Sequence, residues 1–205
     1  MLQKVLTKKV LLYTLGCICF SIGATLFILS NLGTDPLDVF AVGVKKTFGL
    51  MIGTTQSLFA IGCLFIWSIL HKWKFPPVTT FLTFFLCGYM IDFGLWLTHS
   101  QSILKPIIEV LLGVVLCTQG SALILMSSFG IRAMDLVAIS LMELTKKPFW
   151  LYKGFFELML LIVGWLLGGV VGIGTVLFLV FVGWLIQPCI KLNAKLGVPN
   201  YGKIS

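Results

Sequence analysis

The sequence predicts an all-α, polytopic membrane protein: six transmembrane helices in two inverted three-helix repeats, each repeat carrying a short amphipathic or re-entrant helix. Three observations predict it. First, 59% of the 205 residues are hydrophobic and 11% charged, with a mean hydropathy of +1.07. Soluble domains are about a quarter charged, so no ordinary water-soluble shell can be built, and disordered, collagen-like and disulfide-scaffold chains are excluded as well. Second, six apolar stretches can each cross about 30 Å of hydrocarbon, which takes roughly 20 helical residues. Third, the first three stretches are echoed by the last three.

The first span, Val10–Ser30, follows Lys4, Lys8 and Lys9, as a signal peptide's apolar region would. Its apolar run exceeds the roughly 7–15 residues of such a leader, and no clear small-x-small cleavage site follows, so it is read as a membrane helix. Met51–Leu70, Val78–Thr98, Pro106–Ser127, Phe149–Leu167 and Val171–Ile190 are the others. Each must be helical, because lipid offers no partner to a bare amide. Little more than Gly168-Gly169 separates the last two, which predicts a tight antiparallel hairpin. Orientation follows from the basic loop residues. With the N-terminus inside, 12 of the 15 Lys and Arg, from Lys4 to Lys203, fall on inner segments, and Lys45, Lys46 and Lys105 on outer ones. Both termini are therefore expected in the cytoplasm. The net charge of +8 then reflects basic loops beside anionic headgroups, and no nucleic-acid partner is expected.

An internal repeat at an offset of 97 relates the halves. Leu15, Gly16, Gly23, Leu26, Ser30, Gly33, Asp38 and Ala41 recur as Leu112, Gly113, Gly120, Leu123, Ser127, Gly130, Asp135 and Ala138. With a two-residue slip, Thr80, Gly88 and Asp92 are answered by Thr175, Gly183 and Gln187. The chain is thus read as one membrane domain over 1–205, with repeats at 10–98 and 106–190 and a C-terminal tail at 191–205. Three spans per half is an odd number, so the second half is inverted, as in many secondary transporters.

Each half also places a short amphipathic stretch between its first two spans, 36–48 on the outer side and 133–146 on the inner. A dozen helical residues reach roughly 18 Å, too short to cross, and both a re-entrant and an interfacial helix fit the pattern. Asp38 and Asp135 stand where N-caps belong, after turns containing Gly33 and Pro36 in one half and Gly130 in the other. A capping Asp contributes about 1 kcal/mol over Ala. Half-helix N-termini also line solute paths in transporters, and one Asp can serve both ends.

Four stretches carry a family resemblance: Ser30-Asn-Leu-Gly-Thr-Asp-Pro-Leu-Asp-Val, Gly49-Leu-Met-Ile-Gly-Thr, Gly88-Tyr-Met-Ile-Asp-Phe, and Gly172-Ile-Gly-Thr-Val-Leu-Phe-Leu-Val-Phe-Val-Gly. In these the chain resembles the YczE/YyaS/YitT group of bacterial membrane proteins, and more its YczE branch. The resemblance covers nearly the whole chain. It implies an integral protein of the bacterial cytoplasmic membrane and brings no substrate or reaction. The group often has Trp where Leu37 stands here, and Pro36 has no counterpart in the second half, which offers Ala133.

Ionisable groups inside spans are costly enough to need a reason. Asp92, in the third span, must pair, protonate or face a wet cavity. Lys153 and Glu157 are four residues apart and so share a helix face; they serve as a structural bridge or as part of a binding site, and the resemblance implies a basic-then-acidic pair on that helix. Glu109 is read as interfacial. Gln56, Gln119 and Gln187 are weaker candidates for interior hydrogen bonding. The seven-residue spacing of Gly16 and Gly23, and of Gly113 and Gly120, suits close helix packing. Trp67, Trp73, Trp96 and Trp150 read as interface anchors.

None of the six cysteines forms a C-x-x-C, and neither His71 nor His99 has a second ligand at metal spacing. There is no H-E-x-x-H, G-x-S-x-G or P-loop. No enzyme, metal or cofactor is therefore expected. The first functional expectation is a small-solute transporter or permease, with Asp38, Asp92, Asp135 and Glu157 lining or gating a path and Lys153 as counter-ion. Its partners are the lipid bilayer, a small-molecule solute and, given the short chain, a second copy of itself. The alternative is a non-transporting membrane partner: a regulator or assembly factor of another envelope or biosynthetic complex. A third reading, the substrate-capturing subunit of a vitamin importer, is disfavoured by the inverted repeat.

Overall fold

The computed structural model describes residues 2–76, 78–130 and 132–201. Lys203, one of the inner basic residues, lies outside them, as does the side chain of Lys4. Every regular element among the described residues is helical: α1 (Leu2–Ser30), α2 (Pro36–Phe48), α3 (Ile52–Leu70), α4 (Val78–Leu97), α5 (Pro106–Ser127), α6 (Ala133–Thr145), α7 (Phe149–Leu166), α8 (Ile173–Leu177), a π-helical turn (Phe178–Val182) and α9 (Gly183–Lys195). Six helices are long and apolar enough to cross a membrane, the last running through α8, the π-helical turn and α9. That last span starts at Ile173 and passes the expected end at Ile190, because Ile190 and Asn193 are both buried and hold the helix to α5.

The centre is an antiparallel crossing of α1 and α5 made possible by four glycines. A Cβ on Gly16 would meet Ile124 N at 2.9 Å and Gly120 O at 3.0 Å, and one on Gly23 would meet Cys117 N at 2.8 Å and Gly113 O at 3.0 Å. Backbones that close leave no room for side chains at the contact, the small-residue packing on which membrane helices rely. Tyr13, Cys17, Phe20, Phe27, Val110 and Cys117 pack around the crossing. α4 runs alongside α1, fixed by Tyr13 Oη donating to Thr83 Oγ1 at 2.9 Å and Ser21 Oγ donating to the Cys87 carbonyl at 3.2 Å. α9 runs alongside α5.

Each short helix packs on a long helix distant in sequence, α2 on α7 and α6 on α3. This corrects the expected hairpin: after their short connection α7 and α8 part, because α7 is taken by α2. Gly164 admits the α2 backbone, where a Cβ would meet Phe40 N at 2.5 Å, and Gly43 returns the contact onto the Gly164 carbonyl at 2.5 Å. Lys46 Nζ and Thr47 Oγ1 donate to the Gly168 and Leu167 carbonyls, both at 2.9 Å, tying the end of α2 to that connection.

The capping of the short helices also differs from expectation. Asp35 caps α2, its Oδ1 accepting the Asp38 amide at 2.6 Å, and Asp38 lies three positions in. Pro36 is the reason: Pro favours the first helical position, where its missing N–H costs nothing, and so makes the residue before it the cap. At α6 the cap position is Arg132, whose side chain has no acceptor to offer, and Asp135 again lies three positions in. Glu109, expected at the interface, is fully buried, its Oε1 accepting from Ser102 Oγ and from the amides of Ile103 and Leu104 at 2.8–3.1 Å.

Candidate functional site

The residues that lead into α2 and α6 meet in the interior. Asp35, ahead of α2, faces Arg132, ahead of α6, with Oδ2 and Nη1 3.8 Å apart. These residues stand 97 apart in sequence, the offset of the sequence matches. The next contacts out follow the same offset. Gln56 Nε2 of α3 donates to Asp38 Oδ1 at 2.6 Å, and Lys153 Nζ of α7, 97 residues after Gln56, donates to Asp135 Oδ1 at 3.2 Å. Lys153 also reaches Glu157 Oε1 at 3.6 Å. The Arg132 guanidinium lies over the Phe20 ring, 5.0 Å from its centroid, in cation–π geometry.

These groups wall one cavity of about 230 Å³. Asp35, Asp38, Gln56, Arg132, Asp135, Lys153 and Glu157 form its polar side; Phe20, Phe84 and Phe178 are among its apolar walls, the last placed there by the π-helical turn. Asp38 is 1% exposed, and its Oδ2 has no hydrogen-bond partner. The Thr34 hydroxyl stands close enough to favour the charged form of Asp38, although its oxygen makes no hydrogen bond of regular geometry. Asp35 and Asp38 belong to the turn and first residues of α2, outside the six spans. Burial raises both carboxyls above the usual carboxylate range; the Asp35 charge adds to this at Asp38, and Arg132 opposes it at Asp35.

A second cavity of about 140 Å³ lies across the Thr34–Asp35 peptide: Thr34 lines it and Asp35 lines the first. Phe27, Ile28 and Gly33 line this smaller cavity, and Ile124, Leu125 and Gly130, each 97 residues later, line the larger one. Gly33, at φ 101°, packs on Gly172 and Thr175 at the start of the sixth span, while Gly130 packs on Thr83 of the third.

The predicted residues therefore divide. Asp38, Asp135, Lys153, Glu157 and Gln56 come together at the larger cavity. Asp92 does not: its carboxylate accepts the Ile52 and Gly53 amides at 3.1 and 2.7 Å and lies 3.6 Å from Lys45 Nζ, capping α3 where Met51 offers no acceptor. Gln119 bonds to Asn193 and Cys189 between α5 and α9, and Gln187 is exposed. Asp35 and Arg132 were not singled out from the sequence, where one read as part of a turn and the other as a loop charge. The signal that could have found them is their opposite charge at equivalent repeat positions.

Architecture and composition together define a class, the polytopic helical membrane protein. Within it, residues 7–191 match a family of unknown function, DUF6198, and the chain belongs to that family. It is 29% identical to the uncharacterized protein YyaS of Bacillus subtilis (strain 168) over 183 residues, 87% of this chain and 90% of that one. An uncharacterized protein of Haemophilus influenzae is 29% identical over 204 residues, 96% and 89% of the two chains. The uncharacterized membrane protein YczE of B. subtilis is 29% identical over 193 residues, 92% and 87% of the two. These relatives bear out the resemblance to the YczE/YyaS group. No solved structure gives a significant match.

Proposed function

We propose that the chain is a small-solute transporter or permease of the bacterial plasma membrane, with both termini in the cytoplasm and its spans forming two inverted three-helix halves. The observation that carries this reading is the pair of cavities lined by residues 97 apart, on either side of the Thr34–Asp35 peptide. Two halves of opposite topology give a molecule two related conformations, one open to each side. A larger cavity on one side and a smaller one on the other is the asymmetry expected of one such state. The antiparallel α1–α5 crossing supports inversion, since equivalent helices of inverted halves run in opposite directions. The buried first turns of α2 and α6 support re-entrant rather than interfacial helices, since irregular backbone at membrane depth must be enclosed by protein or line a cavity.

The topology is tested first. In a chain freed of its six cysteines, Thr47→Cys and Thr145→Cys each place one thiol at an exposed position. An impermeant maleimide is expected to label Thr47→Cys only in intact cells and Thr145→Cys only in inverted vesicles. Labelling of both from one face removes the inverted halves. Flux is then read in proteoliposomes for Asp38→Asn and Glu157→Gln. A stoichiometric membrane-protein partner, with no flux of any solute, would replace this reading with the regulator or assembly-factor one.

A further inference from the structure

The ion pairing within the larger cavity is incomplete, and the shortfall has one sign. Four carboxylates face two cations. Arg132 pairs with Asp35, and Lys153 is shared by Asp135 and Glu157. Asp38 is left with a neutral amide on Oδ1 and nothing on Oδ2. A carboxylate there lacks a donor, and a carboxylic acid there lacks an acceptor for its proton; a buried polar atom in either condition is costly. What Oδ2 lacks is a donor, and with four carboxyl groups around two cations a positively charged donor is the one that the charge balance favours.

The rest of the cavity narrows the class. Calcium and magnesium need a shell of about six to eight oxygens, and among the described residues no group of three or more His, Cys, Asp or Glu is placed to hold a metal ion. Phe20, Phe84, Phe178 and Leu179 instead present rings and alkyl groups, surfaces that suit an organic cation. An anion would meet surplus carboxylates and cations already engaged. The volume, about 230 Å³, is below the roughly 300–1,000 Å³ of drug-sized sites, which limits the ligand to a few heavy atoms.

We propose that this cavity binds a small organic ammonium ion, whose positive nitrogen sits against the Asp38 carboxyl. At any pH where Asp38 holds a proton the exchange balances in charge: one monovalent cation enters as one proton leaves for solvent. The titratable groups facing Asp38 are Asp35 in its own turn, Arg132 and Asp135 from α6, Lys153 and Glu157 from α7, and the thiols of Cys87 on α4 and Cys117 on α5. Asp35 favours the proton on Asp38 and Arg132 opposes it, so the proton and the ammonium compete for one carboxylate. The inference rests on the reading of this cavity as the solute site, and binding is measured separately from flux.

The test uses the full chain in lipid nanodiscs, titrated calorimetrically with ethylammonium, choline, acetate and glycerol. Saturable binding of ethylammonium or choline is expected, with proton release that rises towards one per cation as the pH is lowered, read by comparing buffers of different ionisation enthalpy. As the pH is lowered through the range in which Asp38 takes up its proton, affinity should fall by up to about tenfold per pH unit. Asp38→Asn should weaken binding at least about tenfold, while Asp92→Asn leaves it unchanged, since Asp92 caps the start of α3 and does not line the cavity. The proton count is read on the unaltered protein and so does not depend on a variant folding. Failure of both cations to bind, binding without proton release at every pH, or a preference for acetate or glycerol overturns the proposal. Cation binding without flux into proteoliposomes keeps this site and removes the transporter reading. Flux of an anion or a neutral solute keeps the transporter and removes this site.

Discussion

Asp35 and Arg132 show what a single charge costs inside this molecule. The Asp35 side chain is 5% exposed, and that of Arg132, 27% exposed, lines the cavity. Removing one partner of a buried pair strands the other, at a cost of about 3–5 kcal/mol, whereas replacing both is often close to neutral. At 3.8 Å and beside a cavity this pair belongs at the low end. Arg132→Met is expected to lose roughly 3 kcal/mol, and Asp35→Asn combined with Arg132→Met to regain most of it, read as a double-mutant cycle of thermal unfolding in detergent. Equal losses in the single and double variants would mean that the pair does not hold the two turns together. Asp92 is the contrasting case. Its depth in a span was legible, but its role depends on the start of α3, where Met51 cannot cap, coming within reach. Asp92→Asn should therefore cost about 1 kcal/mol, as the loss of a cap does, and leave the cavity intact.

The six long helices could be read from the chain because each requirement is local: length, apolar content and, at two of them, glycines seven residues apart. Which helices pair is not local. The short link between the last two spans suggested a hairpin, yet Gly164 and Gly43 give α7 a closer partner in α2. The glycine spacing of α1 and α5 announced a packing face but could not say that the two faces meet each other. A methyl on Gly120 would run into the Phe20 amide nitrogen and, at 2.7 Å, the Gly16 carbonyl, whereas one on Gly154 of α7 meets nothing within 4 Å. Backbone cannot yield as a flexible side chain does, so Gly120→Ala should destabilise by about 1–3 kcal/mol, the usual range for overpacking. Gly154→Ala is expected to be neutral or slightly stabilising, since Ala is the better helix former. Thermal unfolding of the two variants side by side checks the contrast, and equal midpoints would remove the α1–α5 crossing as the rigid centre.

At the scale of the molecule, the matches at an offset of 97 were visible in sequence, but the pairing of Asp35 with Arg132 ahead of the two short helices was not, because that contact joins positions 97 apart through tertiary packing alone. The proposed inverted halves make a stronger demand than any one contact does. If the conformation seen here is one of two, exchanging the roles of the halves should produce the other, with the cavity beside Ile28 enlarged and the cavity beside Leu125 reduced. Gly33 and Gly130 are where this exchange can be biased. A Cβ on Gly33 would sit 2.5 Å from Thr175 Oγ1 and one on Gly130 2.5 Å from Thr83 Oγ1, so alanine at either position pushes apart one contact between halves and leaves the other. Gly33 also has φ 101°, so alanine there adds backbone strain, and the comparison must rest on direction rather than size. With Ile28→Cys and Leu125→Cys as single reporters in the cysteine-free chain, Gly33→Ala should raise maleimide reactivity at position 28 and lower it at position 125. Gly130→Ala should do the reverse. Reactivities that rise or fall together in both variants would show a loosened fold with one state, and the paired cavities would then have no exchange to perform.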